Sequence, residues 1–247
     1  MIIDLSKINF GGGGGSKIKV QDVKVVTQNV DSSGAYDFQP DEGYDAMKAV
    51  KANLTIPSTP VQAVDLDTGI SFAYSTFTTL PFSITGGGNR TDFDYIFSNC
   101  RKMDYIDLSQ INTSKAESFF NSFANSLFKA LDVSNFDTSN ANMMSSMFFH
   151  TSFITSLDLS NFNTSNVLRF DNMFAKMYSI TTLDIRNFDL TNAENTGSMF
   201  YGCEELNTVN VSNCNDVTKN KILTQLQTDL SSYTWTLGDD GIIRRTT

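Results

Sequence analysis

Residues 131–140 read LDVSNFDTSN and residues 157–166 read LDLSNFNTSN, two nearly identical stretches that start 26 residues apart. Weaker copies of the same stretch precede and follow them. Aligned on their first residue, the copies begin at spacings of 26, 25, 26, 26 and 26 residues, at Leu80, Ile106, Leu131, Leu157, Leu183 and Val209. A fixed period in this range is the signature of a repeat architecture. This repeat decides how the greater part of the chain is organised.

Each unit begins with alternate apolar residues, the pattern of a β-strand. Residues two places apart share one face of a strand, so Leu157 and Leu159 point to the same side. Equivalent strands stacked about 4.8 Å apart make a parallel ladder with continuous apolar columns inside it. A further column comes from the second half of the unit, where its members are Phe97, Phe123, Phe148, Phe174 and Phe200. The pattern predicts a solenoid in which each unit buries its apolar residues against its neighbours.

The polar part of the unit is as regular as the apolar part. The stretch 138–140, Thr-Ser-Asn, and its copies fall where the chain must turn. Small hydroxyl and amide side chains at turns bond to nearby backbone groups. We expect these side chains to form ladders from one unit to the next.

The repeated LDLSNFNTSN…NMF pattern resembles the BspA-like leucine-rich repeat family, a Ser/Asn-rich type found in bacterial surface proteins and gut-phage proteins. It extends over about residues 80–208, is clearest from residue 131 onwards, and is weakest in the unit that starts at Leu80. The resemblance implies that the repeat is a non-catalytic scaffold, used for recognition or for structure.

The expected fold is mainly β: a leucine-rich-repeat-type solenoid of about 5–6 units of 26 residues, with a small N-terminal β module and a C-terminal helix plus hairpin cap. Near-helical apolar spacing predicts a helix over 217–230, with Asn215 or Asp216 as its N-cap. Gly238-Asp-Asp-Gly241 predicts a hairpin turn. The expected parts are an anchor peptide with a glycine tether at 1–16, the β module at 17–60, a connector at 61–79, the solenoid at 80–214 and the cap at 215–247.

The N-terminal peptide has two interpretations. Residues 1–10 read MIIDLSKINF, and the five glycines at 11–15 form a flexible tether behind them. Asp4 and Lys7 interrupt the apolar residues, so we expect no secretory signal. One interpretation is a disordered tail or an artificial linker. The other is an anchor that adds a strand to a sheet edge of another protein, and its anchoring residues are Ile2, Ile3, Leu5, Ile8 and Phe10.

A second resemblance lies between the tether and the repeat. Alternating polar and apolar residues, bounded by Pro57 and Pro60, predict a small β module. Residues 26–56 resemble a short module common in phage tail and other virion proteins. The match is carried by Gly34-Ala-Tyr36, by PDEGYD at 40–45 and by VKANL at 50–54. The resemblance implies that the chain is a virion component.

The composition argues against several classes of protein. A net charge of −9 disfavours a broad basic surface for nucleic acid. No apolar run approaches the roughly 20 residues of a membrane-spanning helix. One histidine, His150, and three cysteines leave little material for a metal site or a disulfide framework. We expect no enzymatic activity, no catalytic or metal-ligating residues and no cofactor.

A row of carboxylates is the one polar pattern that invites a chemical interpretation. Asp107, Asp132, Asp158 and Asp184 hold the second place of four successive units and are expected to point away from the apolar columns. We name this row the aspartate column, a candidate contact surface. Three interpretations remain open: a solvated row, weak cation sites, or a glycosidase pair. A strand spacing of about 4.8 Å is near the roughly 5–5.5 Å between retaining-glycosidase carboxylates, but it follows from the repeat and selects no pair.

The two resemblances, together with the glycine tether and the expected lack of a secretory signal, imply a phage virion structural protein: a head or tail fibre, a spike, or a capsid or tail decoration. It would be made in the host cytoplasm and located in the virion. Its expected partners are other virion proteins, bound through the N-terminal segment, and a host surface protein or glycan. A homo-oligomer is one expected arrangement, with no nucleic acid and no membrane insertion. The alternatives are a bacterial cell-surface adhesin with BspA-like repeats and a glycan-degrading enzyme on a solenoid.

Overall fold

A computed structural model describes residues 63–68, 71–75, 77–80 and 83–246 of the chain. The predicted anchor residues Ile2, Ile3, Leu5, Ile8 and Phe10 lie outside the described residues, as does the predicted β module at 17–60. The structure therefore bears on the repeat, part of the connector and the C-terminal region. No helix of the described part is long and apolar enough to cross a membrane.

The described chain is mainly sheet, with one α-helix. A two-stranded parallel sheet joins β1 (Ala63–Asp65) to β2 (Ser83–Thr85), and a short 3-10 turn (Leu66–Thr68) follows β1. A five-stranded sheet has the order β3-β4-β5-β7-β6. Its strands are β3 (Ser156–Asp158), β4 (Thr182–Asp184), β5 (Thr208–Asn210), β6 (Trp235–Leu237) and β7 (Ile242–Arg245), and the helix α1 is Asp216–Asp229.

Strands β3, β4 and β5 pair in parallel with the register of the sequence repeat. Leu157 pairs with Leu183, and Leu183 pairs with Val209. Corresponding residues of successive units therefore lie side by side, and all three apolar side chains are buried. The alternate apolar residues of these units thus form the columns that the Leu-x-Leu pattern predicts.

The second half of each unit is hydrogen-bonded to the next without being a strand. Between residues 144 and 150, every second backbone N–H donates to a carbonyl of residues 169–175, over N···O distances of 2.8–3.0 Å. Two residues in this stretch, Ser146 and His150, have φ of +56°. A left-handed residue breaks an extended backbone, because a strand requires a negative φ. The chain therefore advances in tight turns that still satisfy their backbone groups on the neighbouring segment.

The rings of the phenylalanine column (Phe97, Phe123, Phe148, Phe174 and Phe200) lie over one another through the middle of the core. Successive ring centroids are 5.6–6.0 Å apart, with interplanar angles of 2–16°. Phe72 extends the stack beyond Phe97, with a centroid distance of 5.7 Å. Residues near Phe72 belong to the stretch that the sequence pattern assigns to a connector, so the stacked part begins before residue 80.

Polar side chains join the segments at the turns, as the Thr-Ser-Asn pattern predicts. Thr138 is buried, and its Oγ1 accepts from Asn163 N–H at 2.8 Å and donates to Asn163 C=O at 3.0 Å. Thr113 and Thr164 repeat both bonds with Asp137 and Asp189. We name Thr113, Thr138 and Thr164 the threonine column. It satisfies backbone groups that no strand partner reaches.

The C-terminal helix and hairpin cover the last unit. Asn215 is the N-cap of α1, and its side chain accepts from Thr218 N–H at 2.8 Å, a bond typical of that position. Thr218 Oγ1 in turn accepts at 2.8 Å from the N–H of Leu190, the residue that follows Thr164 in the threonine position of the repeat. Strand β7 pairs antiparallel with β5 and closes that edge of the parallel strands. The predicted helix, its cap residue and the hairpin are confirmed.

Candidate contact surface

The aspartate column has a structural role in each of the four units that contain it. One carboxylate oxygen of Asp107, Asp132 and Asp158 accepts a hydrogen bond from the backbone N–H two residues later, at 2.9 Å. Asp184 makes the same bond to Arg186 N–H at 3.2 Å. These are Asx turns, in which a short carboxylate replaces a backbone acceptor. The spacing of the column thus reflects one turn repeated four times.

Electrostatics within the column is uneven along its length. The Ser109 hydroxyl and N–H bond to Asp107 and hold the pKa of its carboxyl below the ordinary value, and Ser134 does the same for the pKa of Asp132. Partial burial raises the pKa of Asp184, but hydrogen bonds and charge from Arg186 outweigh it, so that pKa also ends below its ordinary value. Asp107, Asp132 and Asp184 therefore carry negative charge at neutral pH, and Arg186 partly neutralises that of Asp184.

The geometry brings Asp158 and Asp184 side by side and gives Asp184 partners of its own. They pair across β3 and β4, and Asp184 is occupied by an ion pair with Arg186 and by Asn210 Nδ2 at 3.1 Å. In the part of the chain that the structure describes, no group of three or more His, Cys, Asp or Glu side chains is arranged to hold a metal ion. The arrangement can close turns and present charge to a partner.

The cysteines are buried among the apolar columns. Cys100, Cys203 and Cys214 are free thiols, and burial raises their pKa values to about 12, 12 and 11. A thiol with a raised pKa is protonated at neutral pH and is a poor nucleophile. These side chains act as core residues.

A cluster of aromatic side chains, which sequence reasoning missed, lies on the surface beside the phenylalanine column. We name Phe149, His150, Lys176, Tyr178 and Tyr201 the aromatic face. Tyr178 and Tyr201 are 45% and 55% exposed. The rings of His150 and Tyr178 meet edge to face at 5.5 Å, and Lys176 Nζ lies 5.4 Å from the centroid of the Phe149 ring. Solvent-facing rings in contact with one another are typical of binding surfaces.

The aromatic face stands where the repeat is least regular. The position directly after each stacked phenylalanine is Ser98, Ala124, Phe149, Ala175 or Tyr201. The next position has a positive φ in every unit and is Asn99, Asn125, His150, Lys176 or Gly202. This variation is the sequence signal that could have revealed the aromatic face. Where neighbouring units depart from the consensus residue, the side chains are not required for the core and can form a surface.

Comparison with known protein families identifies the family to which the repeat is similar. Residues 91–214 match the family described as "Mycoplasma protein of unknown function, DUF285". No curated protein and no solved structure matches the chain at a significant level. The matched segment makes up half of the 247 residues, and the chain therefore belongs to this family of BspA-like repeat proteins.

Proposed function

We propose that this protein is a phage virion structural component: a fibre, a spike, or a capsid or tail decoration. In this proposal the N-terminal peptide attaches the chain to other virion proteins. The repeat is a leucine-rich-repeat-type solenoid of about 5–6 units, and it presents a surface to the host, either to a protein or to a glycan. The proposal includes no enzymatic step and no cofactor.

The observation that carries the proposal is the interlocking of successive segments. Successive described units are joined by backbone hydrogen bonds and by stacked rings, and three of the junctions also have a buried threonine hydroxyl. Contacts that recur at each unit hold a surface in a fixed shape, because each segment is positioned by both neighbours. Such a scaffold suits presentation of a binding surface, which needs rigid support rather than a moving catalytic loop.

The virion location rests on sequence resemblance. Residues 26–56 resemble a module of virion proteins, and the peptide at 1–10 is joined to it through five glycines. A short apolar peptide on a flexible tether can add a strand to another protein while the rest of the chain stays accessible.

The first test is incorporation into particles. Deletion of residues 1–15 should abolish the protein's presence in purified phage particles, measured as copy number per particle by mass spectrometry. A matched control replaces Gly11–Gly15 with five Ser and Gly residues in mixed order, which keeps the tether's length and should preserve incorporation. Normal incorporation of the deletion variant would sink the anchor hypothesis, and absence of the intact protein from particles would sink the virion location.

A bacterial cell-surface adhesin is the second candidate, and the family match favours it because that family is described from a bacterium. Fractionation separates the two. An adhesin is recovered with the cell envelope of uninfected bacteria, whereas a virion component is recovered with purified particles.

A further inference from the structure

We propose that the aromatic face binds a neutral glycan, with Tyr178 and Tyr201 stacking on sugar rings and Lys176 and His150 bonding to sugar hydroxyls. The inference deepens the proposed function, since it names the chemical class of the host partner and the residues that recognise it.

The exposed rings supply the apolar half of such a site. Tyr178 touches His150 on one side, and it lies near Gly202, because a Cβ placed on Gly202 would be 3.6 Å from Tyr178 Cε1. Gly202 follows Tyr201 directly in the chain. The backbone next to Tyr201 therefore lies against the Tyr178 ring, and both tyrosines are about half exposed to solvent. Pyranose rings present C–H groups on one face, and these pack on the electron-rich face of an aromatic ring.

Polar groups stand between the rings. Lys176 Nζ lies 5.4 Å from the centroid of the Phe149 ring, and its ammonium group carries three N–H donors that could reach a ligand on this face. His150 Nδ1 is 3.2 Å from Asn125 Oδ1, and this contact fixes the orientation of the imidazole. Sugar hydroxyls both donate and accept, so they match a row of amine, imidazole and amide groups interleaved with rings.

Charge around the aromatic face is mixed and does not favour an anionic ligand. Lys176 and Arg101 are the cations that act on His150, whereas Glu204 and Glu205 follow Tyr201 by three and four residues, and residues 106–208 carry 11 acidic and 5 basic side chains. An anionic polysaccharide would be attracted by the two cations but repelled by the surrounding negative segment, whereas a neutral one is subject to neither effect. A protein partner with a basic patch would suit the aspartate column instead, so it is an outcome that the test must separate.

Lys176 occupies its position against its backbone preference. Its φ is +60°, in a column where other units place Asn99, Asn125, His150 or Gly202. Glycine and asparagine adopt this region readily, whereas a lysine does so at a cost. A residue kept at a conformational cost beside exposed rings is consistent with a binding role. This feature also yields a test in which stability and binding respond in opposite directions.

The test uses the full-length chain on an array of neutral hexose and N-acetylhexosamine oligosaccharides, printed beside sulfated and sialylated ones. The strongest neutral binder is then titrated in solution. Tyr178→Ala and Tyr201→Ala should each weaken its affinity by about tenfold, the scale of one lost aromatic contact. The matched control is Tyr105→Ala, because Tyr105 is 62% exposed and lies outside the aromatic face, and its affinity should stay within about twofold of the parent.

Lys176→Asn provides the second readout. We expect a thermal midpoint equal to or above that of the parent chain, since asparagine fits the left-handed backbone, together with a weaker affinity for the neutral oligosaccharide. The proposal is overturned if no neutral oligosaccharide binds, if sulfated or sialylated members bind more tightly, or if binding survives both tyrosine substitutions. Virion incorporation is measured separately, so loss of the glycan inference leaves the proposed location standing, and the reverse also holds.

Discussion

At the residue scale, each hydroxyl of the threonine column satisfies two backbone groups of the following segment. Valine has nearly the shape of threonine but neither donates nor accepts a hydrogen bond. Thr138→Val would therefore leave Asn163 N–H and C=O without this partner at a site where the hydroxyl is buried.

We expect Thr138→Val to lower the free energy of unfolding by about 2–3 kcal/mol, the cost of two unmet backbone groups. Urea denaturation measures the change, provided that the slope of unfolding free energy against urea concentration is the same for both proteins. Thr155→Val is the matched control, because the Thr155 side chain is exposed, and it should change stability by less than about 0.5 kcal/mol. Equal effects of the two substitutions would contradict the role assigned to the column.

At the element scale, the phenylalanine column joins segments that share few strand hydrogen bonds. Phe148 stacks on Phe123 at 5.7 Å and on Phe174 at 6.0 Å, and it is fully buried. Its removal opens a cavity between two rings that no neighbour can fill without shifting a whole unit.

Phe148→Ala is expected to cost about 3–5 kcal/mol of unfolding free energy, measured by chemical denaturation. Phe153→Ala serves as control, since Phe153 is 52% exposed in the following turn, and it should cost less than about 1 kcal/mol. If Phe148→Ala changes the free energy of unfolding no more than the Phe153→Ala control does, the stacked rings do not hold neighbouring segments together.

The elements also show what the sequence can and cannot predict. The apolar columns and turn threonines follow from periodicity, because a repeat places like residues side by side. The helix and its Asn215 cap follow from local spacing and cap chemistry. Left-handed residues such as Ser146 and Lys176 carry no compositional signal, so the turns of the second half of the unit were not foreseen. The aromatic face was missed because its residues depart from the consensus on which the alignment depends.

At the scale of the whole molecule, the three buried thiols couple stability to alkaline pH. They lie in the first unit and in the last two, so together they report on both ends of the described stack. Burial raises each pKa above its ordinary value of 9.0, to about 11 or 12. The folded state thus favours the protonated thiol, while the unfolded chain releases the proton above pH 9.

We therefore expect the buried thiols to leave the free energy of unfolding unchanged below about pH 9. As the pH rises from there towards 11 or 12, they should lower it. Urea midpoints at pH 8 and pH 10.5 measure the fall. Other groups titrate in this range as well, so the diagnostic comparison is with Cys203→Ala, in which the alkaline fall should be smaller. An identical fall in that variant would refute the assignment to buried thiols.

The hydrogen bonds between neighbouring segments also determine how the molecule bears mechanical load. In the described part of the chain, each segment bonds to the one before it and the one after it. Tension applied between β1 and β7 acts on these junctions one after another instead of on all of them together. Each rupture frees one unit of about 26 residues, or about 90 Å of extended chain. We expect a protein built this way to unfold under tension in a series of steps instead of in a single rupture.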